Sequence, residues 1–299
     1  MKRREFLHAT FGCVTVTALP LAAAERAPQA RLGSGLVDCH VYVEKPCSHN
    51  LRESHLLVKA AREHKKCVQH GTQRRSSARL KAAVQALRDG VIGKVLAAKA
   101  INHQLRQPIG REPVSTPPPG VNYDLWLGPA PKHAFTRNRW HYNWHWYWDY
   151  GCGDLGNDGI HQVDMARWGL GVDYPKAVVC SGGQLFYDDD HETPDTQTVI
   201  YEYDRCQLIY EMRLWTDYPM EGHDNGTIFY GTEGSMEDGR SGVKVIMKDG
   251  SAVGWPAAGV GPGPPMDIAG QPHELHRPRD ASVQRCGVAR HRARRWQTR

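Results

Sequence analysis

The chain has 299 residues, of which 40% are hydrophobic and 23% charged, and its formal net charge is +6. These values are typical of globular proteins and exclude a wholly disordered chain, and the length suffices for one large domain or two ordinary ones. The positive charge lies at one end, because residues 269–299 hold eight arginines against Glu274 and Asp280, an excess of six. The rest of the chain is near neutral, so its charge does not indicate nucleic-acid binding. We predict that residues 266–299 form a basic, disordered tail, with contact to an anionic surface as the alternative.

The N-terminus has the pattern of an export signal. Arg3 and Arg4, with Phe6 and Leu7, resemble the twin-arginine motif, and an apolar stretch ends in a run of three alanines that suits cleavage. The apolar stretch is shorter than the roughly 20 residues that a membrane-spanning helix needs. We therefore predict a twin-arginine signal peptide over residues 1–24 and an exported, periplasmic location, with no stable membrane insertion. The alternative is a mobile amphipathic N-terminus.

The eight cysteines are scattered and form no Cys-x-x-Cys pair, which argues against a zinc ribbon or a thioredoxin-like motif. Export would permit disulfides. The spacing favours no particular pairing, and we assign none.

Residues 37–92 alternate between short strands and helices. A β-prone run at 41–43 is followed by a helix over 51–64, capped by Ser48 or Asn50. A second short strand at 67–69 precedes a helix over 78–88. This alternation predicts an α/β unit with a parallel sheet.

From Gly93 the pattern changes to that of an α+β domain, which we place at residues 93–265. A long strand over 94–102 leads into a proline-rich loop and an aromatic stretch, and a helix is predicted over 157–170. Further strand candidates follow, separated by turn residues, at 177–186, 197–203, 207–214, 227–230 and 243–247. They predict a large, mostly antiparallel sheet with helices on one face.

Two motifs carry a family resemblance. The first is Val41-Tyr42-Val43-Glu44-Lys45-Pro46, and the second runs from Trp148 to Asp164 as Trp-Asp-Tyr-Gly-Cys-Gly-Asp-Leu-Gly-Asn-Asp-Gly-Ile-His-Gln-Val-Asp. In this order they resemble the glucose–fructose oxidoreductase, inositol dehydrogenase and MocA (Gfo/Idh/MocA) family, and most of all its exported bacterial branch. The resemblance covers about residues 37 to 255, including Gly71-Thr72-Gln73 between the motifs. It implies that residues 37–92 are a remnant of a Rossmann-type NAD(P)-binding domain.

The resemblance also implies the activity, which is NAD(P)-dependent oxidation or reduction of a sugar or polyol by hydride transfer. Glu44, Lys45 and Pro46 match the motif that binds the cofactor, and its lysine lies beside the nicotinamide and the substrate hydroxyl. His161 matches the histidine taken as general base. Asn157 falls where several members carry an aspartate, so a carboxylate-assisted mechanism is in doubt.

The same residues suit this chemistry independently of any family. Oxidation of a carbinol needs a base for the hydroxyl proton, and the ordinary pKa of histidine near 6.5 suits that task. A lysine ammonium can stabilise negative charge on the substrate oxygen. Our predicted catalytic residues are Lys45 and His161. The predicted substrate-binding residues are Asn157, Asp158, Gln73, Trp144 and His145.

The aromatic stretch at 140–148 contains four of the nine tryptophans. Such rings can pack on the C–H faces of a sugar, and an equally good interpretation is that they form core beneath the sheet. His141 and His145 are spaced four apart, as helical metal ligands can be. No acidic third ligand lies near them in the sequence, and we assign no metal.

A dinucleotide-binding start is not evident. The family should open with a strand, a Gly-x-Gly-x-x-Gly turn and a helix that binds the pyrophosphate. Gly33 and Gly35 lack a third glycine at the right distance, and the run from Gly151 to Gly156 fits the pattern formally but does not follow a buried strand. We therefore expect a chain truncated in its nucleotide-binding part, with binding of NAD or NADP doubtful. The arginine-rich end resembles a shifted reading frame.

Other classes of function remain open. One is a non-catalytic, exported carbohydrate-binding protein that uses the aromatic stretch. Another is an oligomerisation remnant, because the resemblance implies pairing of subunits through the large sheet. A metal hydrolase is a distant further alternative. In the leading interpretation, the partner is a small-molecule sugar or polyol, and a homo-oligomer forms through the large sheet.

Overall fold

The computed structural model describes residues 40–255. The predicted signal peptide at 1–24 and the predicted basic tail at 266–299 lie outside the described residues. Within the described part, no helix combines the length and the apolar character needed to cross a bilayer. The five cysteines of this part are all free, namely Cys47, Cys67, Cys152, Cys180 and Cys206.

A small parallel sheet opens the fold. Strand β1 (Val41–Val43) leads through α1 (Leu51–Glu63) to β2 (Val68–His70), which pairs with β1 in parallel. Asn50 caps α1, because its Oδ1 accepts a hydrogen bond of 3.0 Å from the Glu53 backbone N–H. Helix α2 (Ala78–Arg88) follows, and the Ser77 hydroxyl caps it. The predicted strand–helix–strand–helix order is therefore present.

A large sheet of eight strands forms the rest of the fold. Its strand order is β10-β9-β8-β7-β3-β6-β5-β4. Of its strand pairs, β3 and β6 run parallel and the others antiparallel. The prediction of a partial parallel sheet followed by a large, mostly antiparallel sheet is confirmed. The strands are β3 (Val95–Asn102), β4 (Ala177–Gly183), β5 (Thr196–Glu202), β6 (Gln207–Arg213), β7 (Asn225–Gly231), β8 (Gly234–Gly239), β9 (Gly242–Met247) and β10 (Ala252–Trp255).

Helices pack on one face of the large sheet. A short α3 (Tyr123–Leu127) precedes α4 (Ile160–Leu170), which lies against β3 and β7. At Gly169 the helix comes so close to the Phe229 ring that a Cβ would overlap it. Helix α2 adds Leu80, Val84 and Leu87 to the same core, as their helical spacing predicts.

Several local predictions differ from the structure. The helix predicted over 157–170 begins instead as a π-helical turn, Leu155–Gly159, and becomes α-helical at Ile160. Strand β4 ends at Gly183 rather than at 186, because the Asp195 carboxylate accepts the backbone N–H groups of residues 185 to 187 and turns the chain. Strands β8 and β10 were not predicted. In β8 the run Gly-Ser-Met-Glu-Asp-Gly has low β propensity, and its pairing with β7 and β9 decides its conformation.

Candidate functional site

The first motif and the π-helical turn meet at the carboxyl end of β1. The bond between Lys45 and Pro46 is cis. The Lys45 ammonium donates to the backbone oxygen of Asn157 and to its side-chain Oδ1, the latter at 3.1 Å. Two predicted site residues that are 112 positions apart in sequence therefore touch. The carboxyl ends of parallel strands are where α/β sheets bind their ligands.

The side chain of Asn157 makes hydrogen bonds through both its oxygen and its nitrogen. Its Oδ1 faces Lys45, and its Nδ2 donates to Asp154 Oδ1 at 2.8 Å and to the Tyr142 hydroxyl at 3.0 Å. Asn157 itself is buried. It therefore connects the lysine to a second layer of polar side chains.

That second layer centres on Asp154, a residue that the sequence analysis did not single out. Asp154 is fully buried, and Arg106 Nη2 bonds both of its oxygens at 3.1 and 3.0 Å. Asn102 Nδ2 donates to it at 2.9 Å. Burial lowers the pKa of Arg106, but its acidic neighbours, with Asp154 the strongest of them, together leave that pKa above its ordinary value. The one signal in the sequence was the position of Asp154, three residues before Asn157.

Asp158, the next residue after Asn157, bonds a different set of side chains. It accepts hydrogen bonds from the Gln104 side chain and from Asn225 Nδ2, the latter at 2.6 Å. Burial raises the pKa of Asp158, and the negative charge of Asp154 raises it further. The predicted substrate-binding role of Asp158 stays a prediction, and the structure shows two amide partners that hold the carboxyl in place.

His161 lies in the first turn of α4, and its ring is neutral at physiological pH. Burial is the largest cause that lowers its pKa to about 4, and the charges of Lys45 and Arg74 act in the same direction. The Nδ1 atom of the ring is buried and has no hydrogen-bond partner among the described residues. Asp164, three residues after His161 on α4, is paired with Arg75 through two bonds of 2.8 Å.

The remaining predicted substrate residues occupy three environments. His145 is 2% exposed, its Nδ1 bonds the Tyr142 carbonyl, and burial lowers its pKa to about 4. Trp144 lines a cleft of about 200 Å³ together with Pro46 and Cys152. Gln73 begins a short 3-10 helix, and its Oε1 is buried without a partner among the described residues.

The aromatic stretch divides between core and surface. Trp146 and Tyr147 are each 2% exposed and belong to the core, whereas Trp148 is 51% exposed. A 3-10 helix, His141–Trp146, ends at the first of these rings, and Tyr147 continues the chain in an extended conformation. Within residues 40–255, no group of three or more His, Cys, Asp or Glu side chains is gathered so that it could hold a metal ion.

The residues that the sequence resemblance assigns to the cofactor lie at the end of a short parallel strand. Glu44 and Lys45 stand at the carboxyl end of β1, where Gly71 approaches so closely that a Cβ would lie 2.7 Å from Glu44 Oε2. The three-glycine run at 151–156 offers no open cradle for a pyrophosphate, because added Cβ atoms would meet His145, Thr193 and Cys152. Between residues 40 and 255 no strand, glycine turn and helix follow one another in the dinucleotide-binding order.

The match with a known family covers strands β4 to β9 and the second motif. Residues 103–247 match the model of an oxidoreductase family, C-terminal α/β domain. That family is Gfo/Idh/MocA. The sequence resemblance is therefore confirmed for this span, which includes Asp154, Asn157 and His161. No curated protein sequence matches the chain.

Solved structures share the fold. The aldose–aldose oxidoreductase from Caulobacter crescentus, complexed with glycerol, is 14% identical with a TM-score of 0.55, and the match covers 75% of this chain and 58% of that one. An inositol dehydrogenase homolog from Azotobacter vinelandii, complexed with NADH and myo-inositol, is 17% identical with a TM-score of 0.50, covering 72% and 48%. An NAD binding oxidoreductase from Klebsiella pneumoniae is 18% identical with a TM-score of 0.50, covering 70% and 50%. The chain spans about half the length of the solved structures that it matches.

Proposed function

We propose that this protein is a Gfo/Idh/MocA-type oxidoreductase that acts on a hydroxyl or carbonyl group of a sugar or polyol with NAD or NADP. The observation that carries the proposal is the contact between the Lys45 ammonium and Asn157, in the turn that leads into His161. The Lys45 cation and the Asn157 amide are in contact at the end of a parallel strand, and the neutral imidazole of His161 follows four residues later, in the first turn of α4. These are the groups that oxidation of a carbinol requires.

Each side chain has a task in this proposal. Lys45 stabilises negative charge on the substrate oxygen, and Asn157 holds the ammonium in place. His161 is neutral at physiological pH, because its pKa is about 4, and its ring can take up the hydroxyl proton. NAD(P), when bound, supplies the hydride acceptor or donor, and Glu44, Lys45 and Pro46 would hold its nicotinamide end.

The substrate class is proposed from the site and from the relatives. Trp144 and Pro46 give the cleft apolar surface, and Ser48 and His49, which line the same cleft, are suited to hydroxyl groups. The complexes of structurally similar proteins with myo-inositol and with glycerol support a polyhydroxylated substrate.

The test is a titration of the full chain with NAD(H) and NADP(H) by calorimetry, followed by turnover assays with aldoses and polyols. We expect saturable nucleotide binding with a Kd at or below about 0.1 mM, within the range of enzyme KM values. Lys45→Met should lower kcat by about 100-fold or more. Lys59→Met, in an exposed ion pair of α1, is the matched control and should leave kcat unchanged.

A folded chain that binds no nucleotide would contradict the proposal. Sugar binding that persists in that chain and is unchanged by His161→Ala would favour the non-catalytic carbohydrate-binding alternative. A stable dimer without ligand binding would favour the oligomerisation remnant.

We also propose that a second copy pairs through the face of the large sheet opposite α4. Strand alternation places Val179 and Tyr230 on this face, and they are 50% and 39% exposed. Light scattering of the purified chain tests this, with Val179→Lys expected to weaken the dimer and a monomer in the wild type as the contrary result.

The proposed export of the protein is supported by the sequence of residues 1–24 alone. Replacement of Arg3 and Arg4 by lysine should retain the protein inside the cell, as measured by fractionation. Unchanged export of the doubly substituted chain would contradict the twin-arginine route.

A further inference from the structure

The carboxylate of Asp154 is enclosed by hydrogen-bond donors of this chain. Arg106 contacts both of its oxygens, Asn102 donates to Oδ2 at 2.9 Å, and Asn157 donates to Oδ1 at 2.8 Å. Its side chain has no exposed surface. A buried carboxylate with this many partners is held in one orientation, and it can reach a substrate only through another residue.

The carboxylate decides which way the Asn157 amide points. An ionised carboxylate accepts hydrogen bonds and cannot donate them. The NH₂ group of Asn157 must therefore face Asp154, and its second N–H is taken by the Tyr142 hydroxyl at 3.0 Å. The carbonyl oxygen is then left on the opposite side, where it accepts from Lys45 at 3.1 Å.

We propose that Asp154 is a positioning residue, which acts through the Asn157 amide to present a hydrogen-bond acceptor to the Lys45 ammonium. Arg106 neutralises the buried charge of Asp154. The side chain of Asn157 lies between this carboxylate and the Lys45 ammonium. An aspartate at position 157 would bring two carboxylates together across the 2.8 Å contact, which explains why a neutral amide suits this position. The catalytic meaning of this arrangement rests on the proposed function, whereas the orientation itself does not.

Asp154→Asn is the decisive variant. The guanidinium of Arg106 has no acceptor atom, and Asn102 keeps its NH₂ group toward residue 154 because its Oδ1 accepts from Gln104. The new NH₂ group therefore faces Asn157, whose amide must turn over to accept it. Lys45 then meets an NH₂ group and loses one of its two acceptors. Other charged or titratable groups near the ammonium, namely Asp158, His145 and His161, are left in place.

The measurement is the exchange of the Lys45 ammonium protons with water, followed by NMR in the full chain with ¹⁵N-labelled lysine. Its signal is identified by its loss in Lys45→Arg. We expect exchange to become about tenfold faster in Asp154→Asn, the size expected for one lost hydrogen bond to a charged group. The double variant with Asn157→Asp exchanges the two side chains and should restore slow exchange, because residue 157 again presents an acceptor to Lys45.

Asp164→Asn is the matched control, since this aspartate is bonded to Arg75 and not to Asn157, and it should leave the exchange rate unchanged. Unchanged exchange in a folded Asp154→Asn, or a double variant that remains fast, overturns the proposal. Neither nucleotide nor substrate is used, so lack of turnover leaves this result valid, and a failed exchange test leaves the proposed oxidoreductase function in place.

A second variant covers the case in which Asp154→Asn does not fold. Asn157→Asp keeps Asp154 and Arg106 and places a second carboxylate in hydrogen-bond contact with Asp154. Because two ionised carboxylates only accept hydrogen bonds, one of the two carboxyls must hold a proton in the folded state. The loss of unfolding free energy relative to the wild type should then grow as the pH rises from about 4 to about 7, because deprotonation is resisted in the fold. A loss that stays constant over this range contradicts the proposal.

Discussion

The protonation of His161 links the site to the stability of the fold. Burial, together with the charges of Lys45 and Arg74, lowers the pKa of His161 to about 4 from its ordinary value of 6.5. In the unfolded chain the ring returns to its ordinary pKa, so below pH 6.5 the unfolded state binds a proton that the folded state does not. This residue therefore makes the fold less stable as the pH falls from about 6.5 to about 4.

The magnitude follows from the two pKa values. One pKa unit corresponds to about 1.4 kcal/mol. At pH 5 the ring of His161 is almost fully protonated in the unfolded chain and mostly neutral in the folded chain. The unfolding free energy at pH 5 is therefore about 2 kcal/mol lower than at pH 7. His161→Gln removes the titrating ring. We expect the drop in unfolding free energy between pH 7 and pH 5 to shrink by that amount, as measured by urea denaturation at both pH values.

A control and a direct measurement complete this test. His55→Gln replaces an exposed histidine of α1 and should leave the pH dependence unchanged. Part of the acid sensitivity should remain in His161→Gln, because burial also lowers the pKa values of His103 and His145 to about 4. A folded His161→Gln that keeps the full drop, or an NMR titration of the His161 ring with a midpoint near 6.5, would refute the reasoning.

Two further predictions concern the packing around the site. Arg106→Met leaves the fully buried carboxylate of Asp154 without its cation and should lower the unfolding free energy by about 3–5 kcal/mol, measured by urea denaturation. Gly159→Ala places a Cβ 2.5 Å from the hydroxyl oxygen of Tyr210, which is fully buried and cannot move aside. Overpacking of this kind should lower the unfolding free energy by about 1–3 kcal/mol, which exceeds the gain in helix propensity from glycine to alanine. The thermal midpoint should fall accordingly.

Matched surface variants separate these effects from simple substitution. Arg111 pairs with Asp188 while both side chains are well exposed, so Arg111→Met should cost less than about 1 kcal/mol. Gly183 has free space at its Cβ position, where the nearest atom is 3.8 Å away in Leu185, so Gly183→Ala should be nearly neutral. Equal losses for Arg106→Met and Arg111→Met, or for the two glycine variants, would contradict the structural reasons given.

Predictions from sequence succeeded where the signal is local. The predicted helix over 78–88 coincides with α2, whose apolar residues recur at helical spacing, and the alternation of strands and helices predicts the parallel unit. The two motifs likewise point to Lys45, Asn157 and His161. Their roles in binding and catalysis stay predictions, although the structure brings Lys45 and Asn157 into contact.

The tertiary structure decides what depends on distant segments. Strand β8 forms because its neighbours pair with it, despite a sequence of low β propensity. Asp154 acquires its environment from Arg106, which is 48 residues away, and from Asn102 on β3. Periodicity and motif spacing describe how a segment folds next to its own neighbours, whereas a buried charge is defined by whichever donors the whole chain brings around it. The positions of Lys45 and His161 could therefore be read from the sequence, and the carboxylate that orients their amide neighbour could not.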